Sequence, residues 1–179
     1  ALRYYNENNN GQVSDLTVKN CTFTNCYQGV YTMKIKNVAV ENCDFNTTGH
    51  NAIAIQGEAC NHGNVVITGN TFKDIGDRII RFNKPAEGTK ITITNNTAVN
   101  SGKETESGKE IIAAVDLPES VSVTMAGNKW GENTKFGKGF ENIVDEPIPE
   151  PSTPIVIVPD RTGDTPKTEP EKNPTTGAN

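Results

Sequence analysis

The chain has 179 residues, of which 34% are hydrophobic, and its formal net charge at neutral pH is −5. A chain of this length suits one domain with a tail. The sequence has no basic stripe that could neutralise phosphates, which argues against a nucleic-acid partner. It also has no apolar run near the roughly 20 residues that span a bilayer, so no membrane span is expected.

An eight-residue pattern recurs along the first three quarters of the chain. Its copies read LTVKNCTF (16–23), VAVENCDF (38–45), VVITGNTF (65–72), ITITNNTA (91–98) and VTMAGNKW (123–130). Their first residues are 22, 27, 26 and 32 positions apart. A repeat of about 20–50 residues with variable insertions is typical of a solenoid, in which each unit packs against its neighbours.

Each repeat begins with alternating apolar and polar residues, as in Leu16-Thr17-Val18, and this period of two predicts a β-strand. A second short strand is predicted after the aromatic position of each repeat, in GVYTM (29–33), NAIAIQG (51–57), DRIIRF (77–82) and EIIAAV (110–115). No stretch of ten residues keeps a helical spacing. We therefore expect an all-β chain with two or three parallel strands per unit.

These repeats over residues 12–130 resemble the right-handed parallel β-helix, the fold of pectate lyases and many bacterial surface proteins. The resemblance implies a β-helix domain of about five coils in residues 1–144. Residues 131–144, with Phe136 and Phe140, would cap its last coil. Because this fold carries lyases, hydrolases, epimerases, tailspikes and adhesins, it implies no single activity.

Stacking of coils about 4.8 Å apart would place equivalent residues directly above one another. One inner column would contain Phe23, Phe45, Phe72 and Trp130, with Ala98 as a gap. The Asn and Gly residues after the first strand predict a sharp turn with left-handed backbone. At that turn we predict a ladder of Cys21, Cys43, Asn70, Asn96 and Asn128, in which the asparagines bond to one another and both cysteines are small buried fillers with free thiols.

The cysteines and histidines do not suggest a metal site. Four cysteines (Cys21, Cys26, Cys43 and Cys60) and two histidines (His50 and His62) lack the spacing of zinc ligands. His50 is expected to be a loop residue. No cofactor is predicted, and calcium would be required only by a lyase.

The segment GDRIIRF (76–82) is the most charged predicted strand, and its surroundings supply the candidate catalytic residues Asp74, Asp77, Arg78 and Arg81. The resemblance implies an active groove on the outer face of one sheet, where an arginine acts as a base or anchors a carboxylate. The outward row there is predicted to be Tyr31, Ala54, Arg81 and Ala114. Two alanines in that row argue against the dense acidic cluster of a calcium-dependent lyase, and a non-catalytic role is favoured.

The same face offers aromatic, amide and guanidinium groups that suit a carbohydrate. The candidate ligand-binding residues are Tyr31, Gln56 and Arg81.

Residues 145–179 differ in composition from the rest of the chain. They hold eight of the ten prolines, seven acids and three bases, and no aromatic residue, which predicts a disordered Pro/Thr-rich linker. Near its end, Asn173-Pro174-Thr175-Thr176-Gly177 resembles the L-P-x-T-G signal by which sortases join Gram-positive surface proteins to peptidoglycan. The resemblance implies cleavage between Thr176 and Gly177, and Asn173 departs from the usual leucine.

Together these features predict an extracellular module anchored to a Gram-positive cell wall, glycan-binding or adhesive and non-catalytic. One alternative is a fragment of a polysaccharide lyase or glycoside hydrolase whose catalytic coils precede Ala1. The other alternative is a passive structural spacer.

Overall fold

The computed structural model describes residues 1–5, 14–56 and 63–147, and every regular element in these ranges is a β-strand. The chain divides into two units, Ala1–Ile148 and Pro149–Asn179, of which the second lies outside the described residues. The prediction of an all-β fold is confirmed. Among the described residues, no helix has the length and apolar character that crossing a membrane requires.

The described strands form three sheets. The seven-stranded sheet has the order β1 (Leu2–Tyr5), β4 (Val30–Met33), β7 (Ile53–Gln56), β10 (Ile80–Asn83), β14 (Gly108–Val115) and β13 (Lys103–Thr105), with β16 (Thr134–Phe136) also paired to β14. The six-stranded sheet has the order β17 (Asp145–Glu146), β15 (Ser122–Ala126), β11 (Lys90–Thr94), β8 (Asn64–Thr68), β5 (Val38–Glu41) and β2 (Leu16–Lys19). The four-stranded sheet has the order β12 (Thr97–Val99), β9 (Thr71–Ile75), β6 (Asp44–Thr48) and β3 (Thr22–Cys26).

Successive coils pass through the six-stranded, four-stranded and seven-stranded sheets in turn. The first three coils are β2-β3-β4, β5-β6-β7 and β8-β9-β10, the fourth is β11-β12-β14, and the fifth contains β15 and β16. Neighbouring coils pair in parallel, whereas β13 and β14 form an antiparallel hairpin. The predicted solenoid of about five coils is confirmed, with three strands in each of the first three coils and an additional strand, β13, in the fourth.

The strand register places equivalent letters of the repeat side by side. Leu16 pairs with Val38, Val38 with Val65, Val65 with Ile91 and Ile91 with Val123. The fifth residue of each repeat has a positive φ, at Asn20, Asn42, Gly69, Asn95 and Gly127. The left-handed turn predicted from the Asn and Gly residues is therefore present after every first strand.

An aromatic column fills the interior behind the four-stranded sheet. The ring centroids of Phe23 and Phe45 are 4.9 Å apart, and those of Phe45 and Phe72 are 5.2 Å apart. Ala98 pairs with Phe72 as the expected gap, and Trp130 is buried in the following coil. Burial of each large apolar side chain stabilises the fold by about 1.5–3 kcal/mol.

The asparagines at the turn form a continuous hydrogen-bonded ladder. Asn70 Nδ2 donates to Asn96 Oδ1 over 3.0 Å, and Asn96 Nδ2 donates to Asn128 Oδ1 over 2.9 Å. Cys43 extends the ladder upward, because its backbone N–H donates to Asn70 Oδ1 over 2.9 Å and its side chain is buried. Each such bond contributes a net stabilisation of about 1 kcal/mol.

The prediction that Cys21 is a buried filler is wrong, because its side chain is exposed. Cys21 belongs to the first coil, and no described residue of the ladder stacks beyond it. The thiols of Cys21, Cys26 and Cys43 are free, whereas Cys60 lies outside the described residues.

The last described residues complete the solenoid instead of leaving it. Asp145 lies in β17, which pairs with β15, and its Oδ1 accepts the side-chain N–H of Asn128 over 3.1 Å. Its Oδ2 accepts the indole N–H of Trp130 over 2.7 Å. The ladder thus ends on the carboxylate of Asp145. The predicted boundary between the β-helix domain and the linker, after residue 144, would place this carboxylate in the linker and the asparagines in the domain. Before it, Phe140 is buried against Phe82, with ring centroids 5.6 Å apart.

Candidate functional site

Two rows of side chains face outward from the seven-stranded sheet. The strand register aligns the first row as Arg3, Tyr31, Ala54, Arg81 and Ala113. The second row, two residues further along each strand, aligns Met33, Gln56, Asn83 and Val115. The three candidate ligand-binding residues therefore lie on the same face, on three neighbouring strands.

The prediction that Ala114 belongs to the outward row is wrong. Arg81 pairs with Ala113, whereas Ala114 pairs with the buried Phe82 and is itself buried. Because side chains alternate across a strand, a shift of one residue exchanges the inner and outer faces. The residue that does follow Arg81 in the outward row, Ala113, is also an alanine. The row Arg3, Tyr31, Ala54, Arg81 and Ala113 therefore contains no acidic residue, as expected.

The outward residues of the first coils contact one another. The guanidinium of Arg3 lies over the ring of Tyr31, with 5.0 Å from Cζ to the ring centroid, in a cation–π arrangement. On the second row, Asn83 Nδ2 donates to Gln56 Oε1 over 3.4 Å. Tyr31 and Gln56 are thus held by their neighbours, and both remain partly exposed.

A cationic depression opens on this face, around Arg81. It is lined by Arg78, Arg81, Ala113, Ala114, Val115 and Lys138. Among the described residues, no carboxylate lies within ion-pair distance of Arg81 or Lys138. Two uncompensated positive charges beside a small apolar floor form an arrangement that attracts an anion.

Arg78, at the edge of the depression, has a different environment. It lies between Asp77 and Glu110: Nη1 is 3.5 Å from Asp77 Oδ1, and Nε donates to Glu110 Oε1. All three side chains are at most one-fifth exposed. Arg78 is therefore already neutralised by two carboxylates, and this pairing holds its guanidinium in place.

The corner between the four-stranded and seven-stranded sheets continues this network along the solenoid axis. We call its members the polar corner: Tyr27, Gln28, His50, Asp77, Arg78 and Glu110. His50 Nε2 is 3.4 Å from Asp77 Oδ2, and His50 Nδ1 is 3.4 Å from the amide nitrogen of Gln28. The ring of Tyr27 stacks on that of His50, with centroids 5.2 Å apart.

Asp74 is separated from the other three candidate catalytic residues. Its Oδ1 accepts the side-chain N–H of Asn100 over 2.7 Å, and Lys109 Nζ donates to Asn100 Oδ1 over 2.9 Å. The structure thus groups Asp77, Arg78 and Arg81 and leaves Asp74 in a separate surface network.

A second depression lies on the outer face of the six-stranded sheet, and it offers little for a ligand to bind. Its polar groups already bond one another, because Asn37 Nδ2 donates to Asp15 Oδ1 over 2.7 Å and Asn37 Oδ1 accepts the backbone N–H of Asn64 over 3.0 Å. The hydrogen bond from Asn37 lowers the pKa of the Asp15 carboxyl, and a bond from Ser14 adds to the effect.

The chemistry available at the seven-stranded face is anion binding beside hydrogen-bonding groups. Across residues 1–5, 14–56 and 63–147, no three His, Cys, Asp or Glu side chains come together as a metal ion would require. The sorting-like residues 173–177 and His62 lie outside the described residues.

Several residues of this site were not identified from the sequence. Glu110 and Lys138 carry no motif of their own, and His50 was expected to be a loop residue. A usable signal did exist for His50: His50 and Asp77 are 27 residues apart, and Arg78 and Glu110 are 32 apart. The first interval equals the spacing of the second and third repeats, in which these residues lie, whereas the second is longer than the 26-residue spacing of the third and fourth repeats.

Comparison with known proteins agrees with the described fold. A family model for a right-handed β-helix region matches residues 5–137. No curated protein and no solved structure matches the chain.

Proposed function

The chain belongs to the right-handed β-helix family, and from this premise we propose that it is a non-catalytic, surface-displayed module that binds acidic glycans on the seven-stranded sheet. The binding groups are Arg81 and Lys138 in the cationic depression, with Tyr31 and Gln56 beside it. The anionic group of the ligand is a carboxylate or sulfate. The guanidinium of Arg81 pairs with such groups through two parallel N–H donors.

The observation that carries this proposal is that Arg81 has no ion-pair partner in the described part of the chain. The neighbouring Arg78 has two carboxylate partners, whereas Arg81 and Lys138 have none among the described residues. An exposed cation contributes little to folding, since even a paired surface charge is worth about 0–1 kcal/mol. The depression also has small side chains at its floor, so a ligand can approach the guanidinium closely.

Binding without turnover is favoured by the state of the nearby acids. A glycosidase uses one carboxyl as a proton donor and a second as a base or nucleophile. Here Asp77 and Glu110 both neutralise Arg78. Neither carboxylate is presented free to a ligand in the depression.

Attachment to a cell wall is the second part of the proposal. It is supported by the match of Asn173-Pro174-Thr175-Thr176-Gly177 to four of the five sorting-signal positions and by the Pro/Thr-rich segment before it. Such a segment extends easily and suits a stalk. In this role the chain is extracellular, and its partners are a sortase, peptidoglycan and a glycan ligand.

Binding is tested by titrating polygalacturonate and sulfated oligosaccharides into the full chain, with and without calcium. Arg81→Gln keeps much of the side-chain volume and removes the charge, and we expect it to weaken binding about tenfold, which corresponds to about 1.4 kcal/mol. The matched control is Lys73→Gln, which removes an exposed cation from the four-stranded sheet. We expect Lys73→Gln to leave binding unchanged.

Three outcomes would overturn this part of the proposal. Failure of the wild-type chain to bind any acidic glycan favours the structural spacer. Equal losses for the two variants would show that binding follows net charge instead of the depression. New unsaturated or reducing ends would identify a lyase or hydrolase.

Attachment is tested by incubating the chain with sortases and a glycine peptide as the acceptor. The expected product, identified by mass spectrometry, joins Thr176 to the acceptor glycine and releases Gly177 and the residues after it. Thr176→Ala is the control. Lack of product with a panel of sortases would remove the wall-anchoring part and leave the binding part untouched.

A further inference from the structure

Tyr27 is the most exposed large hydrophobic side chain among the described residues. It is 72% exposed, against 39% for Tyr4, 53% for Val99 and 67% for Val144. One face of its ring stacks on His50, with an angle of 28° between the planes, so most of the exposed area is the opposite face and the edge. A ring in this position contributes little to the core and is open to a ligand.

The residues next to the ring of Tyr27 are restrained by packing and polar contacts. Two residues after Tyr27 the chain packs closely on the core, because a Cβ on Gly29 would lie 2.5 Å from the ring of Phe45 and 2.6 Å from the Ala52 carbonyl oxygen. His50 behind the ring is fixed on both sides, by Gln28 and by Asp77. A ligand that stacks on Tyr27 therefore meets a platform that is already ordered, which reduces the entropy lost on binding.

Polar groups suited to hydroxyls lie next to the platform. Gln28 and Asp77 both contact His50, at 3.4 Å each. Asp77 Oδ1 is buried and lies 3.5 Å from Arg78 Nη1, so only the exposed part of the Asp77 side chain is open to a ligand hydroxyl. An aromatic face beside an amide and a carboxylate matches the apolar C–H face and hydroxyl rim of a sugar ring.

We propose that Tyr27 and His50 form a subsite for a neutral sugar ring, and that the glycan bound by this module combines neutral and acidic residues. This inference rests on the proposed glycan-binding function. The sugar ring at Tyr27 is neutral because Asp77, which lies 3.4 Å from His50 Nε2, repels an acidic sugar, and the cation beside Asp77, Arg78, is already paired. The acidic residue occupies the cationic depression around Arg81.

The two subsites are offset both along the solenoid axis and across it. Tyr27 belongs to the first coil, His50 to the second, and Asp77, Arg78 and Arg81 to the third. At about 4.8 Å per coil, the platform and the depression are separated by about 10 Å along the axis. Arg81 also lies four residues along the chain from Asp77, which is level with Tyr27 in the strand register. A short oligosaccharide that starts on Tyr27 at the polar corner and runs obliquely over the seven-stranded sheet reaches the depression.

The test is a binding series on three kinds of glycan with the full chain. The probes are polygalacturonate oligosaccharides (acidic), cello-oligosaccharides (neutral), and hyaluronan and xanthan fragments, which mix neutral and acidic residues. The wild-type chain is expected to bind a mixed probe most tightly. Tyr27→Ala should weaken that binding about tenfold, to the level of the acidic probe, and Tyr27→Phe should retain it.

The control variant is Tyr4→Ala, which removes a partly exposed tyrosine from β1, away from His50, and should not change binding. Thermal unfolding checks that all variants fold. If the acidic probe is bound at least as tightly as every mixed probe, or if Tyr27→Ala binds like the wild type, the neutral subsite is refuted while the proposed function stands. If the wild-type chain binds no acidic or mixed probe, the proposed function fails and the subsite fails with it.

Discussion

Replacing Asn96 with alanine tests the ladder that holds the coils in register. The side chain of Asn96 donates to Asn128 Oδ1 over 2.9 Å and to the Ile67 carbonyl over 3.0 Å. Its Oδ1 accepts from both the backbone N–H and the side-chain N–H of Asn70, each over 3.0 Å. The residue is fully buried, so water cannot replace these partners without entering the core.

The magnitude follows from these four hydrogen bonds. Each contributes about 1 kcal/mol net, and a buried donor left without a partner costs about 1–3 kcal/mol. Asn70 Nδ2 keeps its bond to the Val40 carbonyl, so the backbone N–H of Asn70 is the donor that loses its acceptor. Three bonds at about 1 kcal/mol each and the orphaned donor at about 1–3 kcal/mol should lower the free energy of unfolding by about 4–6 kcal/mol, a large part of the about 5–15 kcal/mol typical of a domain.

The assay is urea unfolding followed by circular dichroism and by the fluorescence of Trp130, the single tryptophan of the chain. Asn64→Ala is the matched control, because Asn64 is an exposed asparagine of β8. We expect the control to change the unfolding free energy by less than about 0.5 kcal/mol. If Asn96→Ala is as mild as the control, the ladder does not stabilise the solenoid and the reasoning is refuted.

Three further predictions concern the column, the C-terminal end and a buried thiol. Phe72→Ala should lower the unfolding free energy by about 3–5 kcal/mol because it opens a cavity in the aromatic column, whereas Val99→Ala on the exposed face should have little effect. Asp145→Ala should lower it by about 2–3 kcal/mol and shift the emission of Trp130, since the indole N–H loses its acceptor; unchanged emission would contradict that contact. Burial raises the pKa of the Cys43 thiol in the folded chain, so stability present below the pKa of the unfolded thiol should decline as the pH rises from about 8 to about 10. Cys43→Ala should show a smaller decline over this range, and an identical decline would rule out this linkage.

The interior of the solenoid could be predicted from the sequence because residues at equivalent positions of successive repeats contact one another. Equivalent positions of successive repeats become neighbours, so the letters Phe, Phe and Phe at 23, 45 and 72 become a stack of rings. The same reasoning identified the Asn ladder and the left-handed turn. Neither inference required knowledge of the path between repeats.

The residues on the outer face of the seven-stranded sheet were harder to predict, because their alignment depends on the lengths of the segments between strands. Segments of different length connect the strands, and the β13–β14 hairpin in the fourth coil made the alignment of that coil ambiguous by one residue. This is why Ala114 was assigned to the wrong face. The repeats of the third and fourth coils start 26 residues apart, whereas Arg81 and its partner Ala113 are 32 residues apart, because the fourth coil contains extra residues before Ala113.

The role of Asp145 could not be read from the pattern, because its strand has two residues and cannot show a period of two. Its sequence neighbours are acids and prolines, which resemble the linker more than the solenoid. What places Asp145 in the fold is the need of the last asparagine for an acceptor. A carboxylate satisfies both Asn128 and Trp130 at once.

Folding and binding use different side chains in this solenoid, and this makes them separable. The ladder and the column are buried and bonded within the chain, whereas Lys138 and Tyr27 are exposed and Arg81 is partly exposed. Substitutions at Arg81 and Tyr27 should therefore change binding with little change in unfolding. The Asn96 substitution should instead lower stability first and affect binding only indirectly. Each coil is stabilised mainly by its neighbours, so a loosened fourth coil disturbs the third coil, which carries Arg81. Any loss of binding in Asn96→Ala should then disappear at lower temperature, where the coil is folded, whereas the loss in Arg81→Gln should persist.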